Sequence, residues 1–576
     1  MYILGINAYH GDSSACIYKN NQLIVASEEE RFRRIKHWAG FPSMAIEFCL
    51  QEAGIDIREV DHIAISRDPK ANLTKKALMA VKNRLSLTNI FNRVKNLKKV
   101  SSIENEFEEY FQLKPGELKA QFHNVEHHRS HLASAFFASP FAESALLTVD
   151  GFGDFTSSMT AIGRNNKIEV LDSVTYPHSL GVFYTTFTEW LGFPHYGDEY
   201  KVMGLAPYGQ PKYVDELRKV IKLKENGLFE LELKYFTHPS QGINMIWEGG
   251  IPVMGGRLYS DQLLAEFGPA RQKDEALNQN HRDWAASIQR ITEEVIFHLL
   301  NALHQRTGLD QVCIAGGVAQ NSVANGKILL NTPFKQVYIP PAGHDAGTSI
   351  GAALWVYNQV LGNTRTEPML HGYFGSRTTN AAIEELLKSK GINYQKLEGD
   401  ALFDKVSNCL INAGVVGWFQ GRAEFGPRAL GHRSIIADPR RSDAKDILNS
   451  KIKRRESFRP FAPSILKEHV ADYFEQDDDV PFMEKVFLIK EAQRSKIPAV
   501  THVDGTGRLQ SVSKNLEPKY YGLIHNFYEK TGVPILLNTS FNENEPIVNT
   551  PEEALDCYLR TQMDMLVLED IVIERS

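Results

Sequence analysis

The sequence predicts an α/β protein in two parts: a duplicated first half with a cleft between its copies, then a second α/β domain built around an anion site. Three observations predict it. The stretch "YILGINAYHGDSSACIYKNNQLIVAS" (2–27) reads as an apolar strand, a Gly/Asp turn, a small-residue strand, an Asn-Asn turn and a third strand, and "ALLTVDGFGDFTSSMTAIGRNNKIEVLDS" (145–173) repeats that order. Two strand-to-helix turns follow, in "QVCIAGGVAQNSVANGKIL" and "VYIPPAGHDAGTSIGAAL". Polar "GNTRTEPMLHGYFG" (362–375) then interrupts the periodicity, and beyond it cations gather in a short, rigid region.

Each copy of the repeat ends its first strand on an acidic or polar residue and places glycines where backbone must approach something closely. A duplicated α/β fold of this kind is the architecture of actin-like phosphotransferases, in which the two turns face one nucleotide's phosphates from opposite sides. Between the copies, residues 67–102 hold Arg67, Lys70, Lys75, Lys76, Lys82, Arg84, Arg93, Lys95, Lys98 and Lys99 among apolar residues at helical spacing. A solvated helix face is the default, and a surface attracting an anionic acceptor is the alternative. "VEHHRSHLASA" (125–135) carries His127, His128 and His131, of which the first and third share one helical face. Alone, they read equally as metal ligands or as packed histidines. Gly316 and Gly317 let backbone N–H groups approach a ligand at a helix start, a setting that favours an anion. The second such turn carries Asp345, and two of them in one half of a cleft suit an adenine nucleotide.

Length and composition bound the function. A chain of 576 residues with 43% hydrophobic and 23% charged residues is a globular protein of two or three domains, and no run of eighteen apolar residues marks a membrane span. The first strand begins at Tyr2 and leaves no room for a signal peptide, while five scattered cysteines fit buried thiols in a reducing cytoplasm. A net charge of -6 argues against a surface that generally coats nucleic acid and leaves room for local basic patches. Nucleic acid enters only as an acceptor, and a homodimer stays open.

In the second half, "GWFQGRAEFGPRALGHRSIIADPR" (417–440) and "LNSKIKRRESFRPFAP" (448–463) bring together Arg422, Arg428, Arg433, Arg440, Lys451, Lys453, Arg454, Arg455 and Arg459. "THVDGTGRLQSV" and "PILLNTSFNENEPIV" add Arg508 and Ser540 on expected strand-ends. Guanidinium groups grip phosphate bidentately and lysine adds a point charge, so a phosphorylated or carboxylated small substrate fits better than three exposed basic loops.

"EEERFRRIKHWAGFP", "HHRSH", "TVDGFGD", "EYKVMGLAPYG", "GGVAQN" and "FQGRAEFGPRALGHRSIIADPR" followed by "FRPFAP" resemble the O-carbamoyltransferases of nodulation-factor and antibiotic biosynthesis. The likeness runs from Tyr2 to about Val548. It implies an actin-like (ASKHA) N-terminal domain over 1–362, similar to the universal tRNA threonylcarbamoyl-transfer proteins, and a YrdC-like domain over 371–576. It implies that carbamoyl phosphate and ATP, as Mg-ATP, form carbamoyl adenylate in the second domain with release of pyrophosphate and phosphate. An acceptor hydroxyl in the first domain then attacks the carbamoyl carbon. Arg428, Lys453, Arg459, Arg508 and Ser540 match the family's carbamoyl phosphate positions. Its iron(II), replaceable by another divalent metal in vitro, maps onto His127, His131, Asp150 and Asp345, with His128 left out. Lys36 matches a lysine that polarises the carbamoyl carbonyl. One of His10 and Asp12 assists acceptor deprotonation, although Gly11 separates two residues that many members have adjacent, and a turn-capping Asp12 is the alternative. Gly316, Gly317 and Asn321 are the implied nucleotide contacts, and Lys201 and Gly204 are nucleotide or acceptor contacts. The acceptor is a natural-product sugar or similar hydroxyl, or a hydroxymethylated nucleobase.

Three other classes compete. An actin-like small-molecule kinase leaves the second half without a role, a zinc peptidase lacks the glutamate of HExxH, and a nucleotide switch needs neither Arg428 nor Lys453.

Overall fold

The computed structural model describes residues 1–76, 103–456 and 458–575, so Lys82, Arg84, Arg93, Lys95, Lys98 and Lys99 of the basic run lie outside the described residues. The chain divides into two compact units: Met1–Asn321 with Ile328–Met369, and Ser322–Lys327 with Leu370–Ser576.

The first unit contains one sheet topology twice. Its first sheet comprises β1 (Tyr2–Asn7), β2 (Ser14–Lys19), β3 (Gln22–Glu28), β4 (His62–Ile65) and β5 (Gln121–Asn124), in the order β3-β2-β1-β4-β5. Next come β6 (Glu143–Gly153), β7 (Thr156–Arg164) and β8 (Lys167–Thr175), then two small hairpins, β9 (Ile221–Leu223) with β10 (Phe229–Leu231) and β11 (Asn244–Glu248) with β12 (Ile251–Gly255). With β13 (Gln311–Ala315) and β14 (Gln336–Tyr338) the second sheet has the order β8-β7-β6-β13-β14. In both sheets the first three strands form an antiparallel meander, and the last two run parallel to the first. The repeat holds down to its turns: Asn20 and Asn165, each between the second and third strands of its copy, adopt φ of +52° and +51°. Asparagine tolerates that left-handed backbone better than most residues.

β1 is buried along all but Tyr2, as a strand covered on both faces must be. The helix Thr348–Leu354 presses on it: a Cβ added to Gly5 would lie 2.1 Å from the Ser349 carbonyl oxygen. The same helix lies against the helix His127–Phe136, where a Cβ on Gly351 would come within 1.8 Å of the Ser130 carbonyl oxygen. Only Arg129 of His127–Phe136 is not buried, and Glu126 caps its N-terminus by accepting from the Arg129 N–H at 2.8 Å. The histidine helix is thus fixed in the interior by backbone contact.

The second unit is built on a nine-stranded mixed sheet. Its strands are β15 (Gln395–Lys396), β16 (Val416–Phe419), β17 (Arg433–Ala437), β18 (Ala462–Leu466), β19 (Lys485–Leu488), β20 (Thr506–Val512), β21 (Ile535–Ser540), β22 (Met565–Leu568) and β23 (Ile571–Glu574). They lie in the order β15-β23-β22-β16-β17-β21-β18-β20-β19. Trp418, Phe419, Ile435, Leu537 and Leu566 are fully buried within this unit's core, together with residues of the helices Gly399–Ile411, Pro518–Thr531 and Pro551–Arg560. Among the described residues no helix is long and apolar enough to cross a membrane.

Replacing Gly351 by alanine is expected to cost about 3 kcal/mol through overpacking. A urea titration would show this as a lower midpoint with an unchanged slope.

Candidate functional site

In the first unit, four side chains from three segments converge. His127 and His131 stand one turn apart at the start of their helix, Asp150 lies near the end of β6, and Asp345 opens the short 3₁₀ turn Asp345–Gly347. One ligand atom from each lies within 4.8 Å of all the others, and all four residues are buried. The two imidazole Nε2 atoms are 3.1 Å apart; each is 3.2 Å from Asp150 Oδ2, and they are 3.4 and 3.3 Å from Asp345 Oδ1. Donor atoms around a tetrahedral cation with bonds of about 2.0 Å sit about 3.3 Å apart. Two carboxylates also balance a divalent charge, and a mixed nitrogen and oxygen set suits a first-row metal. The residues present fit such an ion.

Neighbouring groups orient these four. Asp150 turns Oδ2 to the cluster while Oδ1 accepts the backbone N–H groups of Gly151 at 2.8 Å and Gly317 at 3.0 Å. Asp345 presents Oδ1 to the cluster and Oδ2 to His10 Nδ1 at 2.5 Å. Burial and the charge of Asp345 oppose ionisation of Asp150, but the imidazoles hold it below the usual carboxylate range. Burial works against charge on His127 too, and the carboxylates of Asp150 and Asp345 overcome it, raising His127 well above the ordinary histidine range. His128 takes no part: Nδ1 lies 2.7 Å from Thr148 Oγ1 and Nε2 3.0 Å from the Thr156 carbonyl oxygen, and burial drives it well below the ordinary range.

The two proton-transfer candidates have separate partners. His10 has Nδ1 on Asp345 and Nε2 3.3 Å from the Phe152 carbonyl oxygen, so both its ring nitrogens are engaged. Asp12 Oδ1 accepts from His37 Nδ1 at 2.7 Å, whereas Oδ2 lies 3.9 Å from His344 Nε2. Burial opposes this charged pair, yet His37 holds Asp12 below the usual range and Asp12 pushes His37 up to about 9. Lys36 precedes His37 on an exposed position.

Four of the expected nucleotide contacts make hydrogen bonds or ion pairs within the first unit. Gly316 donates its N–H to the Gly343 carbonyl oxygen at 2.7 Å, and Gly317 donates to Asp150, a buried carboxylate that needs donors. Asn321 exchanges two amide hydrogen bonds with Gln289, at 2.9 and 3.0 Å. Lys201 pairs with Asp198 at 2.8 Å. Gly204 lies within the helix Glu199–Leu205.

In the second unit, Arg508 on β20 is surrounded by like charge. Burial, followed by repulsion from Arg428, Arg455 and Arg459, depresses it well below the usual guanidinium range, and its Nε is buried without a hydrogen-bond partner. Burial alone lowers Arg428 to about 10. This is a site asking for an anion. Lys453 is different from the expectation: its buried ammonium donates to the Ser540 carbonyl oxygen at 2.6 Å and to the Asn542 carbonyl and Oδ1, both at 2.7 Å. These contacts match its three N–H groups, since a buried ammonium must be paired. Ser540, at the end of β21, donates its hydroxyl to Asn542 Oδ1 at 2.8 Å. Other cations of the run brace the fold: Arg433 donates to the Gln420 carbonyl at 2.7 Å, Arg422 to the Gly375 carbonyl at 2.9 Å, and Arg440 grips Asp438. Sequence reasoning missed His37, whose only signal is its place beside Lys36 in "RIKH", and the part played by Arg455, one of several cations in "KIKRRESFR".

Comparison with known proteins bears on both units. A family model described as carbamoyltransferase N-terminus matches residues 2–354, and one described as carbamoyltransferase C-terminus matches residues 407–575. An uncharacterized protein of Synechocystis sp. is 41% identical over all of this chain and 97% of its own length. Nodulation protein NolNO of Sinorhizobium fredii is 36% identical over 99% of this chain and 80% of its own. The 3'-hydroxymethylcephem-O-carbamoyltransferase of Amycolatopsis lactamdurans is 26% identical over 78% of this chain and 80% of its own.

Two substitutions separate the roles assigned by geometry. His131→Ala is expected to abolish metal retention, measured by elemental analysis of the purified protein, with Thr148→Val as a variant that keeps its metal. Lys453→Met, which strips the donor from three buried acceptors, is expected to cost about 3 kcal/mol in denaturant unfolding even with no substrate present.

Proposed function

The chain belongs to the carbamoyltransferase family, and we propose that it is an ATP-dependent O-carbamoyltransferase working in two stages. The observation that carries this reading is the guanidinium convergence on half-buried Arg508, whose Nε is buried without a hydrogen-bond partner while Arg428, Arg455 and Arg459 repel it, a crowding of positive charge that a phosphate dianion would relieve. In the first stage, in a YrdC-like second unit, water displaces phosphate from carbamoyl phosphate to leave carbamate. A carbamate oxygen then attacks the α-phosphorus of Mg-ATP, pyrophosphate departs, and carbamoyl adenylate results. Arg428, Arg459 and Arg508, with Arg455, hold the anionic substrate; Lys453 shapes the Ser540–Asn542 segment instead of gripping phosphate. The mixed anhydride makes chemical sense because carbamate itself is a poor electrophile.

In the second stage the acceptor hydroxyl oxygen bonds to the carbamoyl carbon, the bond from that carbon to the adenylate oxygen breaks, and AMP leaves with the electron pair. Asp12 takes the hydroxyl proton on Oδ2, because His10 is engaged at both ring nitrogens and serves to orient Asp345. Lys36 supplies positive charge for the carbamoyl oxygen. His127, His131, Asp150 and Asp345 would hold iron(II), which when bound supplies Lewis-acid stabilisation of a leaving phosphate. The name of the cephem relative points to a hydroxymethyl group as one acceptor type.

Incubation with ATP, carbamoyl phosphate and a panel of hydroxylated acceptors is expected to yield carbamoyl adenylate and a product heavier by one carbamoyl group. Arg508→Gln should slow adenylate formation by about 100-fold. Folded, metal-loaded protein that makes neither compound would overturn the reading.

A further inference from the structure

We propose that His37 is a positioning residue for carbamoyl transfer: its imidazole fixes the Asp12 carboxylate through Oδ1 and leaves Oδ2 directed at the acceptor's proton. The inference rests on the reading of Asp12 as the base.

Four features of the geometry support it. The hydrogen bond from His37 Nδ1 to Asp12 Oδ1 is 2.7 Å long and joins residues 25 positions apart. Both partners adopt left-handed backbone, at φ of +56° for Asp12 and +55° for His37. Two non-glycine residues held in that region on either side of one hydrogen bond indicate that the surrounding fold imposes the pairing. Glu30 Oε2 accepts the His37 backbone N–H at 2.8 Å, which pins the loop. Finally, Tyr196 is edge-on to His37 with ring centroids 5.3 Å apart, and a Cβ on Gly11 would meet the Tyr196 hydroxyl at 2.2 Å. Gly11 is therefore the room that admits Tyr196, and by separating His10 from Asp12 it lets each reach its own partner.

The charges acting on the pair favour the ionised form of both members. Asp12 and Glu30 raise His37 against burial and the charge of Lys36, Glu199 and Tyr196 lie close by, and His37 and His344 hold Asp12 down against burial and the charge of Asp345. Both shifts run toward a carboxylate and an imidazolium. A neutral amide in place of His37 gives Asp12 a weaker, uncharged bond, so Asp12 protonates at higher pH and aims less well.

The test uses the full, metal-loaded chain with preformed carbamoyl adenylate, reading AMP release to water and to glycerol as a primary-alcohol probe. His37→Gln is expected to lower kcat by about 30-fold with KM for the adenylate within about twofold. The acid limb of kcat should move about one pH unit upward, and His37→Arg, which restores a cationic donor, should recover most of the rate. ¹⁵N-histidine NMR reads the pair without any acceptor: His37 should remain imidazolium at pH 8 and revert to ordinary titration in Asp12→Asn. Wild-type kcat and an unshifted acid limb in folded His37→Gln, or ordinary titration of His37 in the wild-type protein, would overturn the inference while leaving Asp12 as base. Retained transfer in Asp12→Asn would instead overturn the base assignment, and the role of His37 with it.

Discussion

Two carboxylates buried within reach of the same imidazole nitrogens set the terms for the whole first unit. Asp150 and Asp345 repel one another in a low-dielectric interior, and such a pair stays ionised only if positive charge or strong donors surround it. Much of the local architecture answers that requirement. Two histidines arrive on one helical face, two glycine N–H groups are surrendered to Asp150, and His10 is drawn onto Asp345. The close approach of the helix Thr348–Leu354 to β1 and to the histidine helix delivers Asp345 to this place.

Around Arg508 the second unit poses the opposite problem, a local crowding of cations. It solves that problem in one part and leaves it standing in another. Lys453 finds neutral oxygen acceptors for its N–H groups within the fold. Arg508 has a buried Nε without a partner and like charges around it, a costly arrangement that an anion at this place would relieve. The difference separates a cation bonded into the fold from cations left crowded together.

The duplicated sheet was legible in the sequence because its information is local: apolar runs, a Gly/Asp turn and an Asn-Asn turn recur in the same order, and the two sheets share one topology. The four-residue cluster was legible through the family resemblance and through helical spacing, which puts His127 above His131. What sequence could not show is competition for hydrogen bonds. Gly317 looks the same whether its N–H meets a phosphate or Asp150, and Lys453 looks the same whether it meets substrate or the Ser540–Asn542 carbonyls. The His37–Asp12 pair was hidden for a related reason, since a contact across 25 residues between two left-handed loop positions has no periodic signature.

The repeated sheet has a consequence for how such a site could arise. In a symmetric dimer of single copies, both turns would be chemically identical, and any residue placed on one face would be duplicated on the other. Fusion into one chain removes that constraint. The turn after β1 now carries the His10 and Asp12 side chains, while the end of β6, its counterpart, carries Asp150. The two copies therefore differ where their first strands end: one presents an imidazole and a carboxylate with separate partners, the other a carboxylate turned to the histidine pair.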